Sequence, residues 1–108
     1  MVTKAVIKRS DFKNFKEFFP YYLEEHSNRT NRRLHVIGTL SAGLMLLYLL
    51  LTAQYRLLFL PFVIGYGFAW VGHFFFEKNK PATFKHPFYS FRGDWHMLYM
   101  VLSGRIPF

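Results

Sequence analysis

Residues 36–53 read VIGTLSAGLMLLYLLLTA, and after the break Gln54-Tyr55-Arg56 residues 57–76 read LLFLPFVIGYGFAWVGHFFF. The first run is 18 residues without a charge; the second is 20, polar only at His73. At ~1.5 Å of rise per helical residue, each run matches the ~30 Å hydrocarbon core of a bilayer. So short a break makes the two helices antiparallel neighbours. The expected fold is all-α: a membrane helical hairpin of two transmembrane helices, 33–53 and 57–77, within a single membrane domain covering 1–108. Gly38 with Ala42, and Gly65 with Ala69, place small residues four apart, a spacing that lets helix backbones approach closely. Pro61 falls in the first turns of the second span, where a kink is tolerated.

Charge placement supports the same architecture. The 108 residues include 14 Lys and Arg against 6 Asp and Glu. In a soluble domain that balance would first suggest nucleic acid. Here only Arg56 lies between Val36 and Phe76, and every other charge sits in the two ends. A bilayer demands such segregation, because a charge in hydrocarbon costs several kcal/mol. The expected partner is therefore the lipid bilayer and not nucleic acid. The apolar segments flank a loop carrying Arg56 alone, whereas Lys16, Arg29, Arg32 and Arg33 precede them and Lys78, Lys80, Lys85 and Arg92 follow. The positive-inside rule then places both termini on the cytoplasmic side, of a bacterial inner membrane or the endoplasmic reticulum. The chain has no Cys, which excludes disulfides, Cys-ligated zinc and iron–sulfur clusters. Lys4, Lys8 and Arg9 form a basic lead-in with no signal-peptide apolar run after them, so the first span is read as mature structure.

Outside the hairpin, Phe12, Phe15, Phe18, Phe19, Tyr22 and Leu23 recur at three and four, with charges between them. This predicts an amphipathic helix over 11–26, kinked or restarted at Pro20. Its aromatic face suits either the headgroup layer or packing on the rest of the protein; periodicity does not separate the two. Asn28 or Thr30 is the expected cap of the next helix. Residues 78–108 are punctuated by Pro81, Pro87 and Pro107 and rich in aromatics, and read as an interfacial tail with a short C-terminal interfacial helix, Trp95 to Leu102, ended by Gly104.

The chemistry-bearing residues are the histidines. His35 lies 19 residues before Gln54 and His73 lies 17 after Arg56. In an antiparallel pair they come within two residues, or about 3 Å, of the same depth. His26 precedes the first span by a short polar turn and His86 follows the second by a similar distance, so both can reach the same mouth. Asn31 and His35 share a helix face, as do His73 and Glu77, which makes Asn31 and Glu77 candidate catalytic residues. A carboxylate beside an imidazole can ligate a metal or hold the ring's tautomer. Imidazole and carboxylate without thiolate suit Fe(II), Zn(II), Mn(II) or Cu(II). Two facing imidazoles could alternatively clasp a haem, or be ordinary polar ends of the spans. Arg32 and Arg33 are candidate substrate-carboxylate or lipid-phosphate contacts, or simply the positive-inside signal. A non-enzymatic membrane module binding anionic lipid or a partner protein accounts for the same hairpin and rim, and makes the histidines incidental.

The run from His26 through Ser27, Asn28, Asn31 and Arg32 to His35, then Gly38-Thr39, and the run Gly72-His73-Phe74-Phe75-Phe76-Glu77-Lys78 with Pro81-Ala82, resemble a family of small membrane proteins. It is the metal-dependent 2-hydroxy fatty acid dioxygenase family of fatty-acid α-oxidation. The likeness covers about residues 15–95, in two separated motifs in the same order. It implies an Fe(II)-dependent enzyme, or one using another divalent metal, that consumes O2 and shortens a 2-hydroxy fatty acid by one carbon. It further implies His26, His35 and His73 as metal ligands, with Glu77 ligating or orienting and His86, in the bacterial-type Lys85-His86-Pro87-Phe88 segment, as an additional ligand candidate. The chain's small size suggests a homodimer completing the bundle.

Overall fold

In a computed structural model the described residues are 12–81 and 84–108, and they form four α-helices and no strand. The basic lead-in expected at 1–10, the helix start expected at residue 11 and Ala82 of the second motif lie outside them. Helix α1 spans Phe15–Glu24, α2 Arg29–Leu51, α3 Leu60–Val71 and α4 Pro87–Leu102. A 3₁₀ turn, Tyr55–Leu57, joins α2 to α3, and α3 runs on as a π-helix, Gly72–Glu77.

Two helical stretches, Arg29–Leu51 and Tyr55–Glu77, are long and apolar enough to cross a membrane. They pack side by side as an antiparallel pair. The small residues lie at their contact: a Cβ on Gly38 would sit 2.6 Å from the Phe68 Cβ, and one on Gly65 would sit 3.5 Å from the Ala42 Cβ. Leu44, Leu47, Leu51, Phe59, Val63 and Phe75 are exposed, giving the pair a continuous apolar exterior of the kind a lipid phase covers.

Helix α1 begins at Asn14, whose side chain accepts from the Glu17 N–H at 2.9 Å, while the Glu17 carboxylate accepts from the Lys13 N–H at 3.3 Å. The first bond satisfies a donor that a helix start otherwise leaves open, and the second ties the preceding residue back onto the helix. The helix continues through Pro20 instead of stopping there. Its aromatic face is turned to the protein: Phe15, Phe18 and Tyr22 pack with Val36 of α2 and with Met97 and Leu98 of α4. Phe18 and Met97 are fully buried, and each such side chain contributes roughly 1.5–3 kcal/mol by leaving water.

The tail differs most from expectation. Helix α4 starts at Pro87, well before Trp95, and its buried Ser90, Gly93, Met97 and Leu98 make it part of the core. Pro87 stands at the first position of the helix, where its missing N–H costs nothing and its fixed φ favours the turn. Read as punctuation, it hid the first half of the helix. Gly104, with φ 79°, ends α4, and the Arg105 N–H reaches back to the Met100 carbonyl at 2.8 Å.

Candidate metal centre

Three elements converge at the α2-start end of the hairpin. His26 lies in the turn after α1, His35 in the second turn of α2 and His73 in the π-helix. Among the described residues they form a group in which one ring nitrogen from each lies within 4.8 Å of the other two. Ring centroids are 4.4 Å apart for His26–His35, 4.5 Å for His26–His73 and 5.6 Å for His35–His73. The expected equal depth of His35 and His73 is thus what the hairpin produces. The rings meet edge to face, which leaves no slot between them for a porphyrin plane. All three are buried.

Each ring is held by one nitrogen. His26 Nδ1 donates to the Tyr22 carbonyl at 2.7 Å. His73 Nδ1 donates to Asn79 Oδ1 at 2.7 Å, and the Asn79 amide donates in turn to the Glu25 carboxylate at 2.6 Å. His35 Nε2 donates to Asp94 Oδ1 at 2.5 Å, and the same oxygen accepts from the Tyr22 hydroxyl at 2.6 Å. These acceptors fix the tautomer of each neutral ring and leave its other nitrogen as the one able to accept or ligate. His26 Nε2 and His73 Nε2 face each other at 3.1 Å. Two lone pairs at that distance repel unless a proton or a cation lies between them. His35 Nδ1 is buried with no hydrogen-bond partner among the described residues.

That donor set fits a divalent metal. Two nitrogens each ~2.1 Å from one ion stand roughly 3.0–3.4 Å apart, and outer acceptors on ligating imidazoles are the rule in metal sites. Electrostatics agree. The His26 pKa is held well below the ordinary histidine value, first by burial and then by the other two imidazoles, so the ring stays neutral and able to ligate. Burial, reinforced by the Asp94 carboxylate, pushes the Tyr22 hydroxyl well above its usual range, so it remains a donor.

The other candidate residues take separate places around the three rings. Glu77 does not pair with His73. Its carboxylate accepts from the Asn28 N–H at 2.8 Å, the Asn31 amide at 3.0 Å and the Ser27 hydroxyl at 2.9 Å, tying the end of the π-helix to the start of α2. Three donors from the start of α2 engage the carboxylate, and those cross-segment contacts decide where it lies. Asn31 lies under the site, between Glu77 and the Glu25 carbonyl. Its Oδ1 rests against Gly72, where an added Cβ would collide with it. His86 is outside the imidazole group: it precedes α4, its ring 5.3 Å from Phe12 and 5.4 Å from Phe18. Arg33 donates to the Phe108 main-chain oxygen at 3.2 Å and stacks on that ring. Arg32 stays beside the site, its Nε buried with no partner among the described residues.

Sequence reasoning missed Asp94, Tyr22 as a polar group, and the Glu25–Asn79 pair. Gly93 was the one available signal for Asp94. A Cβ there would lie 2.9 Å from the Tyr22 ring, so α4 can come close enough for the next residue to reach both Tyr22 and His35 only if position 93 is bare.

A family model described as 2-hydroxy-palmitic acid dioxygenase Mpo1-like matches residues 12–106. The chain belongs to this Mpo1-like family. The match takes in all three imidazoles, their outer partners and the whole of α4, so Asp94 falls inside the family's domain along with the hairpin. No curated protein and no solved structure matches the chain.

Proposed function

We propose that this Mpo1-like protein is an Fe(II)-dependent dioxygenase that shortens 2-hydroxy fatty acids by one carbon in a membrane, with iron held by His26, His35 and His73. The observation that carries the reading is the set of three buried imidazoles, each anchored at one nitrogen to a different acceptor and each leaving the other nitrogen free. Bound there, iron supplies oxygen activation and Lewis acidity toward a chelating 2-hydroxy carboxylate.

The chain's own residues do the rest. Three neutral nitrogens leave the ion's positive charge uncompensated, which favours an anionic substrate. Arg32, beside His26, is assigned the substrate carboxylate; Arg33 is engaged with Phe108 and is not. Tyr22 and Asp94 fix the His35 ring, and Asn79 with Glu25 fixes His73, so the donors stand ready without rearrangement. Glu77 and Asn31 hold the two spans at the spacing the rings need. The basic flanks support a cytoplasmic position for this end and for both termini. A single Cys introduced at Gln54 should then react with an impermeant thiol reagent from the opposite face only.

The test is to purify the protein in detergent, load it anaerobically with Fe(II), add a 2-hydroxy fatty acid and admit O2. Mass spectrometry should find the acid one carbon shorter, with O2 consumed in proportion. Protein that folds but neither retains iron nor yields that product refutes the assignment.

A further inference from the structure

An apolar groove of about 500 Å³, its open mouth included, runs between α2, α3 and α4. Thr39 and Leu46 line it about one and three turns beyond His35, and Phe62 lies three turns from His73 on the facing helix. It therefore extends alongside the helices to roughly 16 Å from the imidazoles. Tyr66 and Asp94 line both this groove and the small pocket around the three rings, so the two spaces adjoin. Ala42 and Gly65 meet in the groove wall, where neither carries a side chain large enough to fill the space. Polar atoms gather at the Asp94 end and the far end is aliphatic and aromatic. Two of the three flanking helices, α2 and α3, belong to the stretches able to cross a membrane, so a phase that dissolves a lipid substrate would lie alongside the groove.

We propose that this groove is the acyl-chain subsite, entered sideways from the bilayer, and that Leu46 and Phe62 at its far end set the longest chain accepted. The inference rests on the 2-hydroxy fatty acid reading and adds where the chain lies and what measures it. A linear amphiphile is the occupant because the groove is long, apolar along its length and polar at the Asp94 end, which adjoins the imidazole pocket.

Two readouts test it on the full-length, iron-loaded protein. The first is turnover of a series of 2-hydroxy acids from 8 to 20 carbons, a range of about that width being chosen to bracket ~16 Å of helix rise. Leu46→Trp should lower the long-to-short ratio of kcat/KM at least tenfold, and Leu46→Ala should raise it. The second readout needs no turnover: a fatty acid carrying a diazirine at its methyl end is photolysed on the protein and the labelled residues are mapped. Label at Leu46, Pro61 or Phe62, displaced by unlabelled fatty acid, supports the groove even if no 2-hydroxy acid is consumed; that second result would count against the enzymatic reading alone. Label elsewhere overturns the groove, as does an unchanged ratio in both Leu46 variants. Equal labelling by a phosphatidylcholine probe that fatty acid fails to displace also overturns it, because the occupant is then bulk lipid.

Discussion

The hairpin of α2 and α3 is closed at its two ends by different means. At the loop end the backbone does the work. Ala53 adopts the left-handed conformation, the Ala53 N–H bonds the Leu50 carbonyl and the Gln54 N–H bonds the Leu49 carbonyl, which satisfies the last carbonyls of α2. Helix α3 then starts with no side-chain cap. At the other end side chains do it: Asn28 caps α2, Glu77 grips three donors, and each imidazole has its own acceptor. One end needs only to reverse the chain, and many sequences can do that. The other must hold three rings in one fixed arrangement, and it is correspondingly over-determined. The contrast makes quantitative demands on substitutions at each end.

The largest effect belongs to a ring itself. His73→Ala removes one of two nitrogens that face each other at 3.1 Å. Iron affinity should fall by more than the ~10–100-fold that loss of an outer partner costs, and product should drop to background. Metal titration monitored by equilibrium dialysis measures this. Undiminished affinity in His73→Ala would mean the imidazoles are packed polar groups and the comparison has no chemical basis. Next comes Asp94→Asn, nearly isosteric, which takes the charge from the acceptor shared by His35 and Tyr22. The expected loss is ~10–100-fold in iron affinity with the helical content unchanged. An affinity equal to that of the parent protein would leave Asp94 a packing residue.

How far these two residues were legible in the sequence differs, and the reason is physical. His35 and His73 could be paired before any coordinates, because helix rise is constant and the short loop fixes the register; counting outward from residues 54–56 sufficed. His26 needed only one turn of chain to fold back. Asp94 required a contact between helices far apart in the chain, and no periodicity encodes which turn of α4 meets α2. Its helix was itself half hidden by Pro87, whose role at a helix start looks in sequence like a break. The Glu77 contacts were illegible for a different reason: Ser27, Asn28 and Asn31 lie on another segment, and spacing along one helix does not show which donors cross over to it. The small-residue pairs at Gly38 and Gly65 were readable as a helix contact, whereas Gly72 against Asn31 was not, because it pairs a bare position with a polar side chain.

Glu77→Ala should have a smaller and different effect. It strands the Asn28 N–H and the Asn31 amide, so unfolding in detergent should become easier by roughly 1–3 kcal/mol. The ring partners Asp94, Asn79 and the Tyr22 carbonyl all remain, so iron affinity should change less than tenfold once folded protein is counted. A hundredfold loss of affinity without loss of stability would put the carboxylate on the metal after all, and would contradict its role as a clamp between the spans.

The smallest effect is expected at the loop. Gln54 contributes a side-chain bond to the Thr52 hydroxyl at 2.8 Å, exposed to solvent, while its N–H closes α2. Gln54→Ala keeps the N–H and removes only the exposed bond, so stability should move by no more than ~0.5 kcal/mol and iron affinity not at all. Proline at the same position is the sharper probe, because it deletes the N–H that bonds Leu49 while leaving the imidazole end untouched. If the two ends are as separate as their construction indicates, Gln54→Pro lowers the unfolding midpoint and leaves the iron affinity of the folded protein at its parent value. A fall in that affinity would show that ring placement is transmitted along the whole hairpin, and the division between a reversing end and a placing end would have to be given up.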